Sequence, residues 1–287
     1  MSLFQAGPEP SDESALFGSA QKAAVAELAF LDAEGLPEVR PVTPLLLDGE
    51  EVAFTLTYAD AELARRLEQS PDVCLTFSDS RLALAGWRPL SVSGRLSVTH
   101  DLAGDLFCDE LMHQELRKYP PGRKLANSIL LRRENWWYLP RFVFRLAPTG
   151  EARAVGRRTG PDHAVLAWRA GEGSGGGLLC DTVSIAGEPL EGERVEVASL
   201  SGGGLPSGPA TLFFHDFSVP DLEQRTSFLA RGRLDGGAVE GRFSVKSTRG
   251  RRQLGRPAGL LARWREHRAL ERACRTNVQK AESEAGR

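Results

Sequence analysis

The residues that could ligate a metal or act as nucleophiles are five histidines (His100, His113, His163, His215, His267) and four cysteines (Cys74, Cys108, Cys180, Cys274). No two histidines stand at metal-ligand spacing. No two cysteines form the short pair that a zinc knuckle or a redox dithiol needs, which predicts reduced thiols. A GxxxxGK[ST] phosphate loop and a GxSxG nucleophile elbow are both missing. The Gly-rich run Gly171 to Gly177 lacks the strand-to-helix context of a phosphate cradle and reads as a flexible loop. What remains is cationic and aromatic chemistry. Arg65 and Arg66 share a predicted helix, where arginine is ordinarily a solvated face. Arg141 follows the adjacent pair Trp136 and Trp137 and could reach an anion through its forked donors. The lack of an obvious acid–base triad is compatible with chemistry carried by a bound cofactor.

The elements that must position these groups are mostly strands. Ala26–Leu31, Val39–Leu47 and Val52–Thr57 read as three strands joined by turns, the second turn carrying Asp48-Gly49, a hairpin signal. The period then changes. Leu63 and Leu67 share one helical face, and Pro71 ends that helix. Val73–Phe77 and Pro89–His100 return to strands. Asp101–Tyr119 and a short segment near Arg123–Leu131 read as helices, and the aromatic run from Asn135 to Pro148 as a strand. On a strand Trp136 and Trp137 would face opposite sides.

A second β-rich region follows, and it echoes the first. Leu75, Phe77, Asp79 and the tripeptide Gly94-Arg95-Leu96 recur in order as Leu212, Phe214, Asp216 and Gly232-Arg233-Leu234. Upstream, Leu28-Ala29-Phe30 recurs as Leu166-Ala167-Trp168. Two matches in the same order point to a tandem duplication of one β-rich domain. The loop Ser201 to Pro209 falls where the first copy has its Leu63/Leu67 helix, so the second copy is expected to lack it. The boundaries follow: 1–20 a flexible N-terminus, 21–148 the first domain, 149–162 a Gly/Arg-rich linker, 163–248 a degenerate second domain, and 249–287 a basic helical tail.

Composition bounds the function. A net charge of −2 gives no general drive toward nucleic acid or membrane. The basic tail is interrupted by Glu266 and Glu271, and is expected to pack on the acidic body or remain solvated. No apolar run approaches the roughly 18 residues of a membrane span. The N-terminus lacks the basic start and apolar stretch of a secretory signal, so a cytoplasmic location is expected.

The first half resembles the pyridoxamine 5′-phosphate oxidase-like family of FMN-binding split β-barrels. The resemblance rests on the ordered series Ala26 to Pro37, then RPVTP (Arg40 to Pro44), DGEEVAFTLT (Asp48 to Thr57), the helix ending LARRLEQSP, and VSGRLSV (Val92 to Val98). It covers about Ala24 to Pro148 and, more weakly, His163 to Thr248. It implies a mainly β (α+β) fold of two tandem split β-barrels with short helices and a C-terminal helix. In this family two barrels commonly form a homodimer with FMN in the groove between them. A tandem copy would make a pseudo-dimer within one chain, as a monomer or a further homodimer.

What the resemblance implies for the site is specific. Arg40, Val42 and Thr43 on one strand and Thr55 and Thr57 on another flank the flavin. Arg65 and Arg66 begin the helix region that faces the phosphate. Trp87 precedes the strand that reaches the ring edge. The family often places Lys where this sequence has Leu63, and leucine cannot bind phosphate, so an arginine would have to substitute. The expected activity is FMN-dependent oxidation or reduction of a small organic molecule. Members that bind F420 or haem are alternatives, with His215 the candidate axial ligand. So is a non-enzymatic binding protein whose groove has decayed.

Overall fold

A computed structural model describes residues 12–171, 177–257 and 259–286. The predicted flexible loop at Gly171 to Gly177 lies almost wholly outside them, as does the start of the 1–20 segment.

The first unit is an antiparallel sheet of β1 (Ala26–Leu31), β2 (Pro37–Val42), β3 (Leu45–Leu47), β4 (Glu51–Thr57), β5 (Asp72–Phe77), β6 (Leu90–Asp101), β7 (Arg141–Pro148) and the two-residue β8 (Arg153–Ala154). Its order is β2-β1-β5-β6-β7-β4-β3, with β8 paired to β6. The second unit is a closed barrel of β9 (His163–Arg169), β10 (Leu178–Ala186), β11 (Arg194–Ser199), β12 (Gly208–Phe217), β13 (Arg225–Gly236) and β14 (Glu240–Gly250). Its order is β10-β11-β14-β13-β12-β9. Helices are α1 (Asp12–Lys22), α2 (Ala61–Gln69), α3 (Met112–Lys118), α4 (Arg123–Ala126), α5 (Ile129–Glu134) and the long α6 (Leu260–Ala285). The expected class, mainly β in two units with short helices and a C-terminal helix, is the observed one.

The two units share strand order and register. Read from β2, the first sheet runs β2-β1-β5-β6-β7-β4; read from β10, the second runs β10-β9-β12-β13-β14-β11. Long β10 pairs with both β9 and β11 and closes its barrel. In the first unit that strand is broken after Val42, so β2 pairs with β1 and β3 with β4. Leu75 lies between Leu28 and Val92, as Leu212 lies between Leu166 and Ala230. Leu96 faces Leu146, and Leu234 faces Phe243. The repeated glycine has a packing cause. A Cβ on Gly94 would stand 2.7 Å from the Ala147 carbonyl, and one on Gly232 2.0 Å from the Ser244 carbonyl. Both strands pass too close to a neighbour for any side chain.

Each unit has its own apolar interior. Phe30, Phe54, Phe77 and Phe144 fill the first, and Leu166, Leu212, Phe214 and Phe243 the second. A third cluster joins them: Ala29, Val39 and Cys74 of the first pack against Val165, Cys180 and Phe213 of the second. The expected lack of a helix between β11 and β12 is observed, and a loop at Leu200–Ser207 takes its place.

Four sequence expectations change. The 1–20 segment is helical from Asp12, because Leu16 and Ala20, one turn apart, pack into the first core. The 149–162 linker is partly built in: β8 pairs with β6, and Val155 and Arg158 are buried. The stretch Val39–Leu47 is two strands, broken at Thr43-Pro44, where proline removes a ladder donor. Trp136 and Trp137 sit in a helical turn over Trp136–Tyr138 and not on a strand. Trp137 is buried, while Trp136 is exposed beneath the Arg275 guanidinium.

Candidate functional site

Both units line a groove of about 560 Å³, within the range of roughly 300–1,000 Å³ usual for small-ligand sites. From the first unit β2 contributes Arg40 and Val42, β4 contributes Leu56, and α2 contributes Leu63. From the second, β12 contributes Phe213, β13 Arg225 to Ser227 and Leu229, and β14 Arg249. Val39 and Leu229 also pack into the inter-unit core, while Arg40 and Arg249 reach the rim. The groove continues into an inner recess of about 170 Å³ bounded by Thr43, Thr55, Thr57, Glu115 and Arg141, with Arg225 at the junction.

Charge is organised around one carboxylate. Glu38 is buried and receives Arg40 Nε at 3.3 Å, Arg249 Nη2 at 2.8 Å and Arg231 Nη2 at 3.3 Å. Burial pushes its carboxyl up, but the hydrogen bonds and charges of Arg249 and Arg40 outweigh this and hold it below the ordinary glutamate value. Arg231 also pairs with Asp32 at 2.6 Å. One glutamate therefore fixes a cation from each unit on the groove rim. Arg225 differs. Among the described residues its guanidinium has no hydrogen-bond or ion-pair partner, although it borders both groove and recess. An unpaired forked cation at the mouth of an apolar slot is suited to a phosphate or carboxylate.

The recess ends in a polar cluster centred on Glu115. Glu115 accepts from Thr55 Oγ1 at 2.8 Å, Tyr138 Oη at 3.0 Å and Arg141 Nη2 at 3.4 Å. Arg141 is 1% exposed and lies between the Phe107 and Tyr138 rings, 4.0 and 4.1 Å from their centroids. Burial, then the Glu115 charge, pushes the Tyr138 hydroxyl well above its ordinary value, so it stays a donor. Arg141, which the sequence suggested could reach an anion, pairs with the Glu115 carboxylate at the end of the recess.

The structure brings some predicted residues together and leaves others out. Arg40, Val42, Thr43, Thr55 and Thr57 all border the groove or recess. Arg65 and Arg66 do not: Arg65 donates to Gln69 and Arg66 pairs with Glu62 along the exposed side of α2. Leu63 takes the groove-facing position of that helix. Trp87 is 5% exposed and packs inside the first core with its Nε1 unpartnered. His215 is sealed between the units, its Nε2 2.7 Å from Glu27 Oε1 and 2.8 Å from Arg158 Nη1, so it faces neither groove nor recess. Among the described residues no group of three His, Cys, Asp or Glu could hold a metal. The residues that sequence reasoning missed are Arg225, Arg249 and Phe213. All three come from the second copy. Their signal was the register shared by the two copies, legible only once strand pairing is known.

The groove's residues suit a planar ligand with an anionic end, the shape of a flavin mononucleotide among others. Apolar walls of Val42, Leu56, Leu63 and Phe213 suit a flat ring, the threonine hydroxyls suit its polar edge or ribityl chain, and Arg225 suits its phosphate.

No protein-family model matches the chain, and no curated protein matches it. Solved structures similar to it include HutZ, described as a heme storage protein, from Vibrio cholerae, at 18% identity and a TM-score of 0.34, over 50% of this chain and 95% of that one. A Clostridium acetobutylicum protein related to general stress protein 26, of the pyridoxinephosphate oxidase family, is 16% identical with a TM-score of 0.29, over 44% of this chain and 75% of that one. An F420 reductase is 19% identical with a TM-score of 0.34, over 50% of this chain and 96% of that one.

Proposed function

We propose that this chain binds FMN in the inter-unit groove and acts as a flavin-dependent oxidoreductase on a small organic molecule. The observation that carries the reading is the Arg225 guanidinium, unpaired among the described residues and set at the mouth of the inter-unit groove beside the recess of Thr55 and Thr57. The sequence resemblance supports it, because five of the eight residues it implicates border this space. When bound, the cofactor would supply the electron and hydride chemistry. The chain's own residues bind, orient and exclude water. Arg225 holds the anionic end, beside Arg40 and Arg249, which Glu38 keeps on the rim. Leu56, Leu63 and Phe213 shield the ring from solvent. Thr55 is oriented by Glu115 and presents its hydroxyl at the recess, where a substrate would enter beside the ring.

Leu63 supports a second reading. A leucine at the groove-facing position of α2 removes a cation that the resemblance leads one to expect, which favours a protein that holds its ligand without turnover. Equilibrium titration of FMN fluorescence separates the outcomes. Saturable quenching, followed by reduction of the bound flavin with a nicotinamide donor and reoxidation by a small acceptor, supports the enzyme. Quenching without turnover supports the binding protein. No quenching removes the FMN reading.

A further inference from the structure

Two units of one strand order, packed face to face, make two inter-unit grooves related by a pseudo-twofold axis. Arg225 opens onto one of them. The other can be located residue by residue from the shared register. Val25, Pro41, Thr57, Phe217 and Arg225 border the open recess. By strand pairing, their counterparts are His163, Thr182, Leu200, Ser80 and Trp87.

Every one of those counterparts is met by the three residues Gly156 to Arg158. Thr182 Oγ1 donates to the Gly156 carbonyl at 2.9 Å. Gly156 lies so close to Leu200 that a Cβ would stand 2.2 Å from the Leu200 Cβ. The Arg157 guanidinium lies 5.9 Å from the Trp87 ring centroid. The Ser80 amide donates to the Arg158 carbonyl at 3.3 Å, and Arg158 Nε donates to the His163 carbonyl at 3.4 Å. The Arg158 side chain then runs between the units, 4% exposed, to Glu27 Oε1 at 2.9 Å.

The two copies part company at one residue. Up to Val155 and Arg251 they run alike: the Val155 amide points to the Pro89 carbonyl, and the Arg251 amide to the equivalent Ser227 carbonyl. Beyond that, Gly156 turns inward, whereas Arg252 turns away to Asp162 and Glu188. The inward turn needs glycine, since any side chain would meet Leu200.

We propose that Gly156–Arg158 is a built-in occupant of the second inter-unit groove, so that the chain has one ligand site and not two. The groove filled by Gly156–Arg158 is independent of what the open one binds; only the ligand count rests on the FMN reading. Two measurements on the full chain test it. In hydrogen exchange, the Arg158 amide, bonded to the Ser78 carbonyl at 2.8 Å, is expected to exchange as slowly as the central amides of β12. Exchange at the rate of an open loop would overturn the filled groove whether or not FMN binds. In an FMN titration at saturating protein, the expected endpoint is one FMN per chain, and two per chain would overturn the proposal. No binding would overturn the FMN reading alone and leave exchange to decide. Gly156→Leu should abolish protection at Arg158 while leaving FMN affinity at the Arg225 groove within twofold. Protection unchanged in that variant would contradict the seating described. If the variant does not fold, the exchange pattern of the parent chain still decides.

Discussion

At the scale of single residues, position and not residue type separates the arginines that can serve a ligand from those that cannot. Arg225 keeps its guanidinium unpaired at the groove, while Arg66 is spent on Glu62. Arg225→Ala is therefore expected to weaken FMN binding by about 1.5–3 kcal/mol, the scale of a lost charge-assisted hydrogen bond, and Arg66→Ala to leave it unchanged; fluorescence titration of the two variants checks both. Lys118 shows a different residue-scale effect. Its ammonium is buried and donates to the Ala20 and Pro44 carbonyls, tying α1 to the first unit. Burial, and secondarily the Arg117 charge, lowers its pKa to about 7 from 10.5. Between those values the unfolded chain binds the proton that the folded chain has released. Stability should thus rise with pH across that window, by about 1.4 kcal/mol per pH unit from this group alone. Urea unfolding of Lys118→Met from pH 7 to 9 should show that slope reduced relative to the parent chain.

At the scale of elements, close strand approach is what fixes the repeated tripeptide. Gly94→Ala is expected to destabilise by about 1–3 kcal/mol through overpacking. Gly232→Ala should cost at least as much, because its added methyl meets a backbone carbonyl at 2.0 Å. Shifts in urea midpoint test the order. The sequence was most legible here. Strand periodicity located most strands of the first unit, the repeated segments located β9, β12 and β13 of the second, and Leu63/Leu67 located α2, whereas β8, β10, β11 and β14 were not placed. It misled where a local signal was overridden. Thr43-Pro44 broke an apparent single strand. The aromatic run at Trp136 curled into a helical turn that places Trp137 against α6. The supposed linker was recruited into packing. Arg65 and Arg66 were legible as helical but not as leaving the groove, because Arg65 stands about 200° around the helix from Leu63 and Arg66, only about 60° from it, is drawn to Glu62.

At the scale of the whole molecule, the two units share a polar spine as well as an apolar face. Glu27 accepts from Ser78 and Arg158 and stands 2.7 Å from His215 Nε2, and Arg81 reaches Asp79 in one unit and Asp216 in the other, at 2.8 and 2.9 Å. Ser78 and His215 occupy matching positions in the two copies, as do Asp79 and Asp216, so this spine lies along the pseudo-axis. Glu27→Ala would leave the Arg158 guanidinium buried beside a histidine without its carboxylate, a loss of about 3–5 kcal/mol. Calorimetry should give one cooperative transition for the parent chain, at a lower temperature in that variant. None of this was visible in the sequence, because Glu27, Arg158 and His215 lie far apart along it and each reads as an ordinary polar residue.

The most direct test of the account is the visible absorption spectrum of the purified protein after FMN is added and the free cofactor removed by desalting, run beside Arg225→Ala. The groove described here predicts that the two flavin bands persist in the parent chain and are largely lost from the variant. A parent chain that emerges colourless would contradict the central claim, and so would a variant that retains FMN as fully as the parent.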